Sequence, residues 1–322
     1  NESPGAVHAG RDGSTPAFHG FTAVVSRGGA CVVGAAIGGI GVVSVGLPIC
    51  QRPLNYAKVD GLELRAELYA PIGEPEPGLR HVVLVDVHGG AFSSGNRFAG
   101  LHYCRRLARM GVTVLSIEFR HGPDHKHPAA LEDIARAVRF CREGRLGFDA
   151  ARVGLIGSSS GGHLVTLASV EPTEQGTELK CDADFVIALW PVSDPAARYH
   201  YLLSRQLETK ASLDGWDPFR LASGHRGYFR TVAQMHGASL QNVLTRGTFE
   251  KLPPLLIVQP ELDRNVPVFM SQTLHGAWRL AGGMVEYHQY PGVGHGFAAV
   301  DTTQTDDCLD DIAAFVRCVA PV

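Results

Sequence analysis

The sequence predicts an α/β architecture: a mostly parallel, eight-stranded twisted sheet with helices on both faces and a helical cap inserted late in the chain. Three observations lead there. Short, nearly continuous apolar runs recur with amphipathic stretches between them, the pattern of strands covered on both faces. One interval, from about 196 to 251, breaks that rhythm. A turn of small residues, Gly157-Ser158-Ser159-Ser160-Gly161, sits where one apolar run ends and helix-forming sequence begins.

Residues 28–49, GGACVVGAAIGGIGVVSVGLPI, carry no charge and match the length of a membrane span. Their seven glycines and one proline make a poor helix, so a packed strand or loop is expected there rather than a membrane anchor. The glycine spacing superficially resembles a dinucleotide loop. No strand, turn and helix follow in order, which argues against a nicotinamide site. Residues 1–52 are therefore read as an N-terminal extension of unknown role, and 53–322 as one catalytic domain.

From Tyr56 the pattern becomes regular. YAKVDGLELRAELYAP alternates apolar and polar residues about Asp60-Gly61 and predicts a hairpin of two antiparallel strands. HVVLVDVH (81–88), VTVLSIEFR (112–120), RVGLIG (152–157), FVIALWPV (185–192), PPLLIVQ (253–259) and VEYHQY (285–290) supply the remaining strands. Helix-like sequence runs from about Ala99 to Met110. Between Pro128 and Glu143, Leu131, Ile134, Ala135, Val138 and Cys141 share one helical face, and a last helix gathers Leu309, Ile312, Ala313, Val316 and Val319. Strands and helices in alternation imply a parallel sheet, which the front hairpin makes mixed. The stretch 196–251 is too long for a simple connection and rich in aromatics and histidines, so it reads as a cap over the active site.

With 322 residues and 45% hydrophobic content the chain can bury one substantial core. Its formal charge of -3, without a long run of Lys or Arg, argues against a nucleic-acid partner. The seven cysteines are scattered, with no CxxC pair or zinc-site spacing, and most read as small buried apolar residues. A single disulfide between Cys31 and Cys50 stays open if the protein is exported. A soluble location, cytoplasmic ahead of secreted, is the expectation; the oligomeric state is not legible.

Acyl transfer by serine needs an exposed hydroxyl, a base, a group that fixes the base's tautomer, and donors where the oxyanion forms. Gly157–Gly161 fits G-x-S-x-G between a strand and a helix, and the register of its glycines selects Ser159 as nucleophile. Ser158 and Ser160 read as small fillers, although the Ser160 N–H falls where an oxyanion donor is needed. His88-Gly89-Gly90-Ala91-Phe92 follows its strand directly, where Gly89, Gly90 and Ala91 would complete an oxyanion hole; His88 reads as structural. Asp263 follows the strand 253–259 and His295 stands in GVGHGF after the strand 285–290, giving the chain order Ser, Asp, His. Glu261 and Asp194 are rivals for the carboxylate. His121, His125 and His127 lie close together, but their spacing does not aim them at one metal. The chemistry calls for no cofactor and no metal.

At these residues the chain resembles the α/β-hydrolase superfamily, and within it the hormone-sensitive-lipase-like esterases and the bifunctional feruloyl and acetyl-xylan esterase group. HGGAF, GSSSGG, ELDRNVP, GHGF and the helix HPAALEDIARAVRFCRE carry the resemblance, which runs from about Tyr56 to the C-terminus. HGGA in place of HGGG moves the match toward the feruloyl and acetyl esterase group or the formamidases. The resemblance implies a serine carboxylic-ester hydrolase acting on a small-molecule ester but does not carry over the substrate's identity; the aromatic pocket candidates suit a small or aromatic acyl group, or a modest cyclic ester, better than a long lipid chain. Phe92, Trp190, Tyr199, Tyr201 and Trp216 are candidate pocket residues, or equally cap core. The same triad would serve an amide, formamide or lactone hydrolase, or an acyltransferase; a non-catalytic ligand receptor on this fold is the alternative from another class.

Overall fold

The alternating segment folds as a hairpin. β1 (Ile49–Val59) and β2 (Leu62–Pro71) pair antiparallel about Asp60 and Gly61, whose φ angles of 49° and 85° are those of a tight two-residue turn. β1 starts at Ile49, ahead of Tyr56 where alternation becomes legible, because its first half pairs at a partly exposed sheet edge that imposes little periodicity. The computed structural model describes residues 46–171, 181–208, 215–247, 249 and 251–319. Cys31, residues 28–45 of the apolar segment and the cap residues 209–214 lie outside them. Among the described residues, no helix is long and apolar enough to cross a membrane.

The described strands form one eight-stranded sheet in the order β1-β2-β4-β3-β5-β6-β7-β8. β3 (Val82–Val87), β4 (Thr113–Ile117), β5 (Arg152–Ser158), β6 (Val186–Leu189), β7 (Leu255–Pro260) and β8 (Val285–Tyr290) run parallel, and β2 joins β4 antiparallel. The expected α/β sheet with helices on both faces is the observed one.

Alternation along β3 shows how the two faces are filled. Val83, Val85 and Val87 enter the larger core beneath α2 (Ala129–Arg142) and α3 (Ser160–Val170); Val82 and Leu84 enter the other, beneath α1 (Leu101–Arg109) and α9 (Thr303–Val319). Cys104, Cys141, Cys181 and Cys308 are buried among these apolar side chains, whereas Cys318 is exposed.

β4 and β6 are shorter than their apolar runs. β6 stops where Trp190 takes a φ of 38°, which a strand cannot accommodate. The rhythm-breaking stretch contains α4 (Pro195–Ser204), α5 (Pro218–Tyr228), α6 (Val232–Gly237) and α7 (Leu240–Arg246), followed after β7 by α8 (Val268–Leu280). Asp194, Asp217 and Thr231 cap the first three of these helices by accepting backbone N–H bonds.

Candidate active site

Parallel strands deliver their C-terminal ends to one edge of the sheet, where ligands of open α/β folds bind. Here that edge gathers His88-Gly89 after β3, Ser159 after β5, Trp190 after β6, Asp263 after β7 and His295 after β8. Ser159 has φ 56° and ψ -118°, a strained turn between β5 and α3, held by its N–H donating to Leu189 O (2.8 Å) and its carbonyl accepting from Val192 N (3.2 Å).

Ser159 Oγ lies 3.1 Å from His295 Nε2, and His295 Nδ1 lies 2.8 Å from Asp263 Oδ2. A carboxylate only accepts, so Nδ1 carries the proton and Nε2 is free to receive the one on Ser159. The Asp263 side chain has no solvent exposure, while that of His295 is 20% exposed. Asp263 Oδ1 accepts from Asn265 N–H (2.9 Å) and Val266 N–H (2.8 Å). Both carboxylate oxygens are thus engaged, which fixes the group's orientation. The two rival carboxylates serve elsewhere: Asp194 caps α4 through Ala197 N–H (2.9 Å), and Glu261 accepts from Gly292 N–H (2.9 Å).

The loop after β3 is clamped by the serines on either side of Ser159. Gly89 N–H donates to Ser158 Oγ (3.2 Å), and Phe92 N–H donates to Ser160 Oγ (3.2 Å). These hydroxyls are clamps rather than fillers, a role that only the fold could reveal because it joins segments distant in sequence. Gly89 must therefore be removed from the expected oxyanion donors, its N–H being spent on Ser158. Gly90 (φ 129°) sits where a Cβ would come within 1.9 Å of Ser94 O, so no other residue fits there. Ala91 and Phe92, at φ 53° and 66°, share the strain.

Behind the loop, Tyr103 interacts with Ser158 and donates to Asp86 Oδ1 (2.7 Å), and Ser116 donates to Asp86 Oδ2 (2.5 Å). Burial pushes the Asp86 carboxyl above its ordinary range. Burial likewise lowers the His88 imidazole to about 4, leaving it a neutral ring stacked on Phe119.

The five candidate pocket aromatics fall into three places. Phe92 is 2% exposed, its ring stacked on Tyr228 and edge-on to His163, His225 and Phe229; it is core beneath the loop rather than pocket wall, because its positive φ turns the side chain inward. Trp190 packs against Phe297 and the His295 ring. Tyr199, Tyr201 and Trp216 pack with Ala91, Leu202, Leu221 and Ala222 under the cap. Helix α5 meets the loop at Gly224, where a Cβ would come within 2.4 Å of Ala91 O. Sequence reading missed Phe297, Gly224 and Asn265; of these only Asn265 carried a signal, as the residue two beyond the aspartate, where an N–H can return to its carboxylate.

The profile of the alpha/beta hydrolase fold family matches residues 84–299. The chain belongs to this family. As an alpha/beta hydrolase it is 28% identical over 250 residues to esterase LipC of Mycobacterium tuberculosis, a match covering 73% of this chain and 58% of that protein. It is 31% identical over 154 residues to ethyl acetate hydrolase of Pseudomonas putida, covering 47% of this chain and 48% of that one. The chain thus spans about half the length of these curated relatives. A solved thermophilic carboxylesterase cloned from a metagenomic library superposes with a TM-score of 0.68 at 25% identity, over 86% of this chain and 92% of that one.

Proposed function

We propose that this alpha/beta hydrolase is a serine carboxylic-ester hydrolase with Ser159 as nucleophile, His295 as general base and Asp263 as the group that orients the base. The observation that carries the reading is the unbroken line from Ser159 Oγ through His295 to Asp263, at 3.1 and 2.8 Å. The esterase names of its relatives support the reaction class.

Ser159 Oγ attacks the ester carbonyl carbon as its proton passes to His295 Nε2. The Gly90, Ala91 and Ser160 N–H groups receive the oxyanion. Collapse breaks the ester C–O bond, and the alcohol leaves with the proton from His295. Water then gives a proton to His295 as its oxygen attacks the acyl carbon, which releases the acid and restores Ser159. Trp190 with Phe297 on one side, and the cap cluster around Ala91 on the other, frame a site for small or aromatic esters.

A fluorophosphonate label is expected on the peptide containing residue 159. Rates on 4-nitrophenyl esters should fall about tenfold or more from acetyl, butyryl and benzoyl to long acyl chains, with the matched amide slower than the ester. Labelling at another residue, or an amide or lactone outpacing the ester, would reject the proposal. Ser158→Ala and Ser160→Ala each release one end of the oxyanion loop. Each is expected to lower kcat about tenfold with little change in KM, because the loop's donors act on the transition state. Wild-type kcat in both would show that the loop keeps its shape without the clamps.

A further inference from the structure

The cap reaches the carboxylate's turn through one buried cation. Arg198, on α4, is 1% exposed. Its Nε donates to the Asn265 carbonyl (3.2 Å), one terminal nitrogen donates to Asn265 Oδ1, and the other lies 3.4 Å from His225 Nε2. His225 Nδ1 lies 2.9 Å from Leu221 O, so Nδ1 holds the proton and Nε2 accepts from Arg198. All three acceptors are neutral. The negative charge that acts on Arg198 is that of Asp263. One helical turn along α4, Tyr201 OH donates to Arg264 O (2.6 Å), so the same helix holds this turn twice.

The Asn265 N–H in turn donates to Asp263 Oδ1 at 2.9 Å, so Asn265 is gripped by the guanidinium on one side and the carboxylate on the other. Burial brings the Arg198 guanidinium down to about 10, still charged at neutral pH. The groups facing it are Asp263 from the turn, Tyr201 from its own helix, and Arg220 and His225 from α5. A buried cation given only neutral hydrogen-bond acceptors is costly unless an opposite charge compensates it nearby.

We propose that Arg198 is a positioning residue for Asp263: through Asn265 it fixes the turn that aims the carboxylate at His295. The proposal rests on the reading of Ser159, His295 and Asp263 given above. A purely structural tie between cap and domain would affect stability, and KM where the cap meets substrate, but would leave kcat of the folded enzyme alone.

The test is kcat and KM for 4-nitrophenyl acetate between about pH 5 and 9, with folded fraction from near-UV circular dichroism. It compares wild type, Ser159→Ala, Arg198→Lys, Arg198→Gln, Asn265→Ala and the Arg198→Gln/Asn265→Ala double variant. Arg198→Gln should lower kcat by about tenfold or more with KM nearly unchanged, since a misdirected carboxylate costs the transition state and not the binding of substrate. Arg198→Lys should recover part of kcat. The double variant should lose no more than the worse single one. Wild-type kcat in folded Arg198→Gln overturns the proposal. Should Arg198→Gln fail to fold, wild-type kcat in both Arg198→Lys and Asn265→Ala overturns it instead. Near-normal turnover by Ser159→Ala would remove the underlying reading; an inactive Ser159→Ala beside wild-type-like Arg198 variants would remove only the role of Arg198.

Discussion

Ser159→Ala is expected to hydrolyse esters at least about a thousandfold more slowly than wild type, with its unfolding midpoint within a few degrees. The small structural cost follows from what is lost. Alanine keeps the turn's backbone, including the N–H to Leu189 O and the carbonyl to Val192 N. Only the 3.1 Å bond to His295 disappears, worth about 1 kcal/mol. The large kinetic cost arises because, among the described residues, no other hydroxyl bonds His295: Ser158 and Ser160 are already bonded to Gly89 and Phe92. Single-turnover and steady-state assays with the same ester would decide it. Residual turnover close to wild type would mean that the attacking group is elsewhere.

Acidification from about pH 6.5 towards 4 is expected to cost the fold several kcal/mol. Burial lowers the imidazoles of His88 and His127 to about 4 and of His163 to about 3, whereas in the unfolded chain each protonates near its ordinary value of about 6.5. In that window the unfolded chain binds more protons than the native one, so stability is full well above about 6.5, begins to fall near it and declines further as pH drops. Each group could contribute about 3 kcal/mol, an upper bound because local opening relieves burial first. Urea midpoints at pH 8, 6.5 and 5 should decrease in that order, and His163→Leu should flatten the slope. Midpoints that do not move between pH 8 and 5 would contradict the assignment of buried neutral rings.

Much of this was legible in the sequence because the relevant signals are local. A buried parallel strand must be apolar throughout, so β3, β5 and β7 announce themselves, and Ser159, Asp263 and His295 each sit just past a strand end in the order their chemistry needs. What stayed hidden depends on partners far along the chain. Ser158 and Ser160 look like fillers until the loop at Gly89 and Phe92 is folded over them. Arg198 looks like one more surface cation of the cap, and nothing local says that it ends on Asn265, 67 residues away. Phe92, a candidate for pocket or core by its size alone, has a φ of 66° and its ring lies in the core. Trp190 ended β6 early for the same reason, a backbone angle that composition does not encode.

The edge where the strands end has a further consequence. Ser159 and His295 are 136 residues apart in the chain, and His295 and Asp263 are 32 apart. The shortest contiguous stretch that holds all three runs from Ser159 to His295 and takes in β6, β7 and β8, and parallel pairing of this kind is among the slower events of folding because long loops must close first. During renaturation, ester hydrolysis is expected to return later than the helical signal, because the proposed site needs the ends of β5, β7 and β8 at one edge of the sheet.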